Sequence, residues 1–388
     1  MTTITKDRAR EILSNLIAIP SVNPMGRPYA RAERVEHGVA DYIEGLFAPY
    51  GAKMERQPYS PLHENLLIIV PGQTDGPCTL LESHMDTVPA DDWPDMAFTP
   101  RLEGDILYGR GACDDKGPLT SMILAVMELL ETGQRPYFPA ILLCAGDEEH
   151  AQTGIRTFRE TPYRLGRGVF GEPTSCLPVV QHRGTIRWDI TVHGKSAHTS
   201  KPHLGVNAIL GMMDVIAALQ EHQRDVQARY TSDLLPGPAL TVSMIHGGRT
   251  RNAVPDECTI SVDYRIIPGM ELEESLEEVK QRLEKLGHTI THQPFQIMTR
   301  PLDTSPEDPF SQQVLEVCRR YIGPEAQLQG VPYGTDAAWV SDRIPALVLG
   351  PGSIDSAHAV DEHIDLNEVV TCAQIYRDIL LLGTTDRG

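Results

Sequence analysis

Histidine and carboxylate side chains recur in this sequence at the points where short apolar runs end. Residues 79–89 begin with such an apolar run, which leads to His84. Asp86 follows two positions later, and a proline ends the segment. Side chains two apart on a strand point the same way, so Asp86 can lie beside the His84 imidazole and hold its second ring nitrogen. The alternative for this segment alone is a strand end with a turn aspartate and a solvated histidine.

A glycine-rich segment, residues 109–117, precedes a predicted helix and contains the adjacent Asp114 and Asp115. Its glycines match neither the dinucleotide-binding fingerprint nor the ending of a phosphate loop. Two neighbouring aspartates would repel a phosphate, whereas they suit a cation. The alternative interpretation is an aspartate that caps the helix.

Further candidate ligands follow other apolar runs. Glu148 and Glu149 follow residues 140–145, and two carboxylates at a buried strand end need a cation to compensate them. Neighbouring side chains point differently, so one can bind a metal while the other acts as a base. Glu172 and His358 also follow short apolar runs, although alone they fit a surface turn and a solvated loop. Two histidines with several carboxylates suit zinc, manganese or cobalt, and one bridging carboxylate would make a two-metal site.

The elements that must position these residues alternate between strands and helices. Hydrophobic spacing predicts helices at 7–18, 31–50, 119–130 (amphipathic), 310–321 and 366–381, and strands at 66–70, 79–84, 140–145 and 346–349. This alternation predicts an α/β fold with a mostly parallel central sheet. In such sheets ligands bind beyond the carboxyl ends of the strands, where the candidate ligands lie.

Between residues 182 and 293 the pattern changes. It reads as a half-exposed strand at 186–192, a helix at 207–220, strands at 239–245 and 259–266, a helix at 272–286 and a strand at 289–293. This is the order of a ferredoxin-like α+β domain. We therefore expect a catalytic domain in two parts, 1–181 and 294–388, with a dimerisation or lid domain, 182–293, inserted between them.

Composition restricts the partners and the location of the chain. The formal charge of −19 over 388 residues argues against a nucleic-acid partner or an anionic membrane surface. The sequence has no apolar run long enough to cross a membrane and no apolar signal region at its start. Seven scattered cysteines without a Cys-x-x-Cys pair indicate reduced thiols and hence a cytoplasmic protein.

The chain resembles the family of acetylornithine deacetylase, succinyl-diaminopimelate desuccinylase, glutamate carboxypeptidase and aminoacylase. The segments that carry the resemblance are 83–89, 109–117, 147–149, 171–175, 194–198, 252–255 and 349–354. They keep the family's order, and two of them, 171–175 and 349–354, are most similar to acetylornithine deacetylase. The chain departs from the family pattern at Asp115, where relatives have methionine, and at His150, where relatives often have a small residue.

The resemblance implies a role for each candidate residue. The metal ligands are His84, Asp114, Glu149, Glu172 and His358. Asp114 bridges two divalent ions, most readily zinc, with cobalt or manganese as alternatives, and the peptide bond that follows it is cis. Glu148 is the general base, and Asp86 orients His84.

The resemblance also gives the inserted domain a role. His198 supplies the donor for the tetrahedral oxyanion, acting across a homodimer whose contact elements are expected at 186–192 and 207–220. Arg265 and Asn252 bind the substrate carboxylate. For Arg265 the alternative is an ion pair with an acidic neighbour on the sheet.

We expect a two-metal amidohydrolase that removes the acyl group from an N-acyl amino acid, as acetylornithine deacetylase does. A carboxypeptidase, a dipeptidase or a succinyl-diaminopimelate desuccinylase would use the same metals with a different pocket. An alternative of another class is a metal-free protein that binds peptides or amino acids on the same scaffold. That alternative requires a missing ligand or base, and the sequence lacks none.

Overall fold

The computed structural model describes residues 3–29, 34–91, 93, 96–294 and 297–383. The chain forms two compact units. The first unit contains Met1–Val180, Thr304–Gln329 and Thr335–Gly388, and the second unit contains Gln181–Asp303 and Gly330–Gly334. The second unit is thus inserted in the sequence of the first.

The helices and strands are numbered in chain order. The helices are α1 (Lys6–Ala18), α2 (His37–Phe47), α3 (Lys116–Thr132), α4 (Thr153–Phe158), α5 (Ala208–Arg229), α6 (Leu272–Glu284), α7 (Pro309–Ile322) and α8 (Leu366–Leu381). The strands are β1 (Lys53–Pro58), β2 (Glu64–Val70), β3 (Cys78–His84), β4 (Arg101–Glu103), β5 (Ile106–Tyr108), β6 (Ala140–Ala145), β7 (Leu165–Phe170), β8 (Val179–His182), β9 (Gly184–His193), β10 (Ala239–Gly247), β11 (Glu257–Ile266), β12 (Thr289–His292), β13 (Ile297–Thr299), β14 (Leu302–Asp303), β15 (Gln329–Val331), β16 (Ala346–Val348) and β17 (His363–Asp365). Within the described ranges, no helix has the length and apolar character needed to cross a membrane.

The largest sheet has the strand order β1-β2-β6-β3-β7-β16-β8-β14, with β15 paired to β8. Its centre, β6-β3-β7-β16, is parallel, whereas β1, β2 and β8 pair antiparallel with their neighbours. The predicted α/β fold with parallel central strands is therefore confirmed, and the sheet as a whole is mixed. Strands β2, β3 and β6 are buried along almost their whole length, as continuous apolar runs require.

Helix α3 begins two residues after Asp114 and is buried on every side from Lys116 to Leu129. The helix predicted at 119–130 is therefore confirmed, but the prediction that it is amphipathic is wrong. The reason is that α3 packs against β3 and β6 and also against α1 and α8. The buried Lys116 ammonium donates to the carbonyls of Leu16 and Ile19, at 2.9 and 2.8 Å, which ties the start of α3 to the end of α1.

The helix predicted from residue 31 begins at His37, and residues 30–33 lie outside the described ranges. The Glu36 carboxylate accepts a hydrogen bond from Glu64 N at 3.1 Å and lies 2.7 Å from His63 Nδ1. These contacts tie Glu36, the N-cap residue of α2, to the segment around β2.

The second unit contains an antiparallel sheet of order β10-β11-β9-β12, with β13 also paired to β9. With α5 and α6 between the strands in sequence, this is the predicted ferredoxin-like order. The predicted polar face of β9 is exposed only in part, because Arg187 and Asp189 are partly exposed whereas Thr185 and Thr191 are buried. Both edges of β9 pair within the sheet, and a dimer contact at 186–192 stays a prediction. Helix α5 runs past its predicted end because His222 and Val226 continue its buried face.

Candidate metal centre and active site

The candidate ligands lie beyond the carboxyl ends of neighbouring parallel strands. His84 is the last residue of β3, Glu149 follows β6, and Glu172 follows β7. His358 lies in the segment after β16, and Asp114 lies two residues before α3. Parallel strands bring their carboxyl ends to one edge of a sheet, which explains how ligands far apart in sequence meet there.

Asp114 lies between the two histidines. Its Oδ1 is 3.0 Å from His84 Nε2, and its Oδ2 is 3.2 Å from His358 Nε2. His358 Nε2 is also 3.4 Å from Glu149 Oε2. Two groups of ligand atoms, each lying within 4.8 Å of one another, share Asp114: His84, Asp114, Asp115 and Glu172, and Asp114, Glu149 and His358. All the predicted ligands are thus brought together, with Asp114 common to both groups.

Asp115 also belongs to this cluster, although the sequence analysis gave it no role. Its Oδ2 accepts hydrogen bonds from the Ser83 hydroxyl and from His84 N, the latter at 3.2 Å, while its buried Oδ1 has no hydrogen-bond partner among the residues that the structure describes. The Asp114–Asp115 peptide bond is cis, as predicted. The substitution of an aspartate for the methionine of relatives was the sequence signal for this extra charge.

Three glutamates at the cluster hold protons more tightly than usual, whereas hydrogen bonds with His358 and His84 lower the pKa of Asp114 although burial opposes this. Burial raises the pKa of Glu148 to about 8 and that of Glu149 to about 7, with a further contribution from neighbouring carboxylates. Burial also raises the pKa of Glu172 well above its ordinary value. Hydrogen bonds to Asp114 and Glu149 raise the pKa of His358 to about 11. Cations would replace these protons, so the donor set fits two divalent ions that share Asp114.

Asp86 contacts His84 differently from the prediction. The His84 Nδ1 atom lies 3.0 Å from the Asp86 main-chain carbonyl oxygen and 3.6 Å from the Asp86 carboxylate. That carboxylate instead accepts hydrogen bonds from Glu148 N, Glu149 N and the Asn23 amide, because the chain turns after β3 ends. The Asp86 backbone therefore orients the histidine, while its side chain fixes the loop that carries the two glutamates.

A second scaffold holds the loop of the shared ligand. Glu362 Oε1 accepts hydrogen bonds from Cys113 N and Asp114 N, each at 3.0 Å. Its Oε2 pairs with Arg110 at 2.8 Å, and both side chains are buried. Because Glu362 lies four residues after His358, this pair couples the segments of two ligands. The sequence signal for the Glu362–Arg110 pair was only that Asp361 and Glu362 follow Ala357 and His358.

The remaining predicted residues lie in the second unit. His198 is exposed, and its Nδ1 accepts a hydrogen bond from Ser200 N at 3.1 Å. Asn252 is also exposed, and its main-chain carbonyl accepts a hydrogen bond from Thr199 N at 3.1 Å. On β11, Arg265 already donates to Asp263 at 2.6 Å and to Thr185 at 2.9 Å. The geometry of Arg265 thus includes the ion pair that the sequence left open as an alternative.

Comparison with known proteins places this geometry in a family. The model of peptidase family M20/M25/M40 matches residues 80–382. Acetylornithine deacetylase of Pectobacterium carotovorum is 31% identical over 384 residues, which cover 95% of this chain and 96% of that protein.

Solved structures of low sequence identity share the fold. The aminopeptidase PepT of Bacillus cereus superimposes with a TM-score of 0.78 at 18% identity, covering 97% of this chain and 98% of that one. An M20 family metallo-carboxypeptidase of Sulfolobus solfataricus gives a TM-score of 0.75 at 18% identity, covering 96% and 98%. The chain therefore belongs to peptidase family M20/M25/M40, and with its cluster of metal-ligating residues it is a metal-dependent hydrolase of amide bonds.

Proposed function

We propose that this enzyme removes the acyl group from an N-acyl amino acid, with acetylornithine-like substrates first. The observation that carries this proposal is the 31% identity to an acetylornithine deacetylase along 95% of the chain. The carboxypeptidase and dipeptidase alternatives retain support because structural relatives include a metallo-carboxypeptidase and a dipeptidase.

In the proposed site, His84 and Glu172 would hold one ion, Glu149 and His358 would hold the other, and Asp114 would be shared between them. Zinc suits this nitrogen and oxygen donor set, and cobalt or manganese are the alternatives. Such a pair of ions polarises an amide carbonyl and acidifies the attacking water.

The chain's own groups move the proton and bind the charges. The Glu148 carboxylate takes the proton of the attacking water and passes it to the leaving amine. Nδ1 of His198 accepts from Ser200 N at 3.1 Å and lies 2.8 Å from the Ser200 hydroxyl, so Nε2 is the ring nitrogen that we propose as the donor. That donor suits the oxyanion of the tetrahedral intermediate. Arg265 and Asn252 are proposed to bind the substrate carboxylate.

We propose a cytoplasmic homodimer, in which residues 182–293 form the dimerisation domain and 1–181 with 294–388 the catalytic domain. Strand β10 is at the end of its sheet order, and large apolar side chains are exposed on it and on α5. These are Ile209, Leu210, Met213, Met244 and Ile245. An apolar patch beside a strand edge supports a self-complementary two-fold contact. All seven cysteines are free, which supports a reducing compartment.

The substrate class is tested with metal-stripped enzyme reconstituted with zinc, cobalt or manganese. Hydrolysis of N-acetylornithine and other N-acyl amino acids should return with metal and exceed that of dipeptides. A preference for dipeptides or C-terminal peptide bonds would favour the peptidase alternative. Metal-independent peptide binding without any hydrolysis would favour a binding protein.

The assembly is tested by mixing two inactive variants, His198→Ala and Glu148→Ala. If the histidine acts on the partner subunit's site, a mixed dimer regains one intact site. No recovered activity after verified subunit exchange would mean that each site is complete within its own chain.

A further inference from the structure

The side chain of Gln152 contacts the proposed base directly. Its Nε2 donates to Glu148 Oε1 at 2.7 Å, and its Oε1 accepts from the indole Nε1 of Trp339 at 2.9 Å. An indole N–H can only donate, so Trp339 fixes which end of the Gln152 amide faces Glu148. Gln152 is 6% exposed, so water competes little for this bond.

We propose that Gln152 is a positioning residue for Glu148. By holding Oε1 of Glu148, the Gln152 amide fixes the plane of the Glu148 carboxylate. Oε2 of Glu148 is then the oxygen that takes the proton from water. This inference rests on the proposed role of Glu148 as the base. The Gln152 side chain itself need not touch the substrate.

The backbone at Gln152 supports a role for its side chain. Gln152 has a left-handed conformation with φ of 53°, and it is the N-cap of α4 without a side-chain capping bond. Glycine, asparagine or aspartate suits both conditions better than glutamine does. The main-chain N–H of Gln152 also closes the loop from Asp147 with a 2.7 Å hydrogen bond. A strained position is thus occupied by a residue whose length lets it reach Glu148.

Trp339 is itself held by the helix that starts after Gln152. The Arg156 guanidinium lies 4.9 Å from the indole ring centroid, and Arg159 donates to the Trp339 carbonyl. Trp339, which donates to the Gln152 amide, is therefore held by Arg156 of α4 and by Arg159, the residue that follows α4. This connection makes the Trp339–Gln152–Glu148 chain a defined arrangement rather than a chance contact between mobile side chains.

Three variants test the proposal. Gln152→Met removes the amide, Gln152→Asn shortens it while suiting the left-handed backbone, and Trp339→Phe removes only the donor that orients it. The matched control is Gln281→Met on the exposed face of α6. Gln281 Nε2 donates to Glu277 at 2.9 Å, and the two residues are four apart, as Gln152 and Glu148 are.

Each test variant should lower kcat with KM and metal affinity unchanged. We expect a loss of about tenfold for either Gln152 variant and about threefold for Trp339→Phe, a fraction of what general-base catalysis supplies. Gln152→Asn should also keep or raise the melting temperature, a combination that a purely structural role would not give. The Gln281→Met control should keep the wild-type kcat.

The role through Glu148 is tested in a Glu148→Asp background, where the shorter carboxylate is out of reach of the amide. There Gln152→Met should cause no further loss of kcat, whereas an equal loss in both backgrounds would overturn the proposal. Wild-type kcat in Gln152→Met and Trp339→Phe would overturn it too. In both of these cases the proposed function stands, because it is tested separately by the hydrolysis of N-acyl amino acids with reconstituted enzyme.

Discussion

Charged side chains are arranged in opposite ways in the two units. At the strand ends of the first unit, Asp114, Glu149 and Glu172 are crowded together with histidines as their cationic partners. On the sheet of the second unit, Asp263 accepts hydrogen bonds from Arg187 at 2.5 Å and from Arg265 at 2.6 Å. The first arrangement has an excess of carboxylates, whereas the second pairs carboxylates with guanidinium groups.

The difference separates a cluster with too few cationic partners from a set of charges that balance one another. In the first unit, burial and repulsion raise the pKa of Glu149 and Glu172. In the second unit, Arg187 and Arg265 lower the pKa of Asp263 although burial opposes this. Asp189 shares that face of the sheet, so two arginines face two aspartates there. The proposed contact of Arg265 with a substrate carboxylate therefore has to compete with an existing ion pair.

The largest expected effect follows the removal of the base in the first unit. Glu148→Gln should lower kcat about 1,000-fold, because general-base catalysis is lost. Metal content, measured by mass spectrometry, should stay at the wild-type value since Glu148 is not a proposed ligand. Glu277→Gln on the exposed face of α6 serves as the control. A near wild-type kcat for Glu148→Gln would contradict the assignment.

Metal affinity should rise steeply with pH. Without a cation, the pKa of His358 is raised to about 11 and that of Glu149 to about 7, so both groups hold protons that a metal must displace. Below these pKa values protons compete with the metal for the ligand atoms. Each proton that the metal displaces changes the metal affinity tenfold per pH unit. From the His358 proton alone we expect the dissociation constant to fall about 100-fold between pH 6 and pH 8, and the Glu149 proton adds to this fall.

Calorimetry in two buffers of different ionisation enthalpy measures this proton release. A metal affinity independent of pH would show that the cluster is already deprotonated without its ions, and the contrast between the two units would then be lost.

The second unit is tested by comparing its two arginines. Arg265→Met should raise KM about 30-fold, the size of one lost charge-assisted contact with a carboxylate. Arg187→Met should raise KM less, because this substitution leaves the proposed contact of Arg265 with the substrate in place. Equal KM values for wild type and Arg265→Met, together with a lower melting temperature, would mean that Arg265 serves only the ion pair with Asp263.

The smallest expected effect concerns the scaffold of the first unit. Glu362→Gln should weaken metal binding about tenfold, because the amide cannot both accept from the main chain at Asp114 and pair with Arg110. Glu128→Gln is the matched control, since Glu128 also pairs with an arginine, Arg377, and accepts from a main-chain N–H. Titration calorimetry gives both affinities, and equal losses would indicate a general effect on stability.

Much of the site could be predicted because each ligand follows a local pattern. His84 ends an apolar strand, and Glu148 and Glu149 follow another, so their positions beyond the sheet were determined by sequence periodicity alone. The burial of α3 could not be predicted in this way, because it depends on α1 and α8 covering the face that the pattern assigned to water. The outer face of α3 is only partly polar in sequence. Residue spacing alone therefore could not distinguish a fully buried helix from an amphipathic helix at the surface.

The sequence by itself determined the types of ligand, their order and the strand ends that carry them. The tertiary structure decided what holds them, since Glu362 reaches Cys113 across 249 residues and Trp339 reaches Gln152 across 187. It also decided that β9 lies inside its sheet with both edges paired. The physical reason is that apolar periodicity is a property of neighbouring residues, whereas a hydrogen bond between distant segments depends on how the whole chain packs.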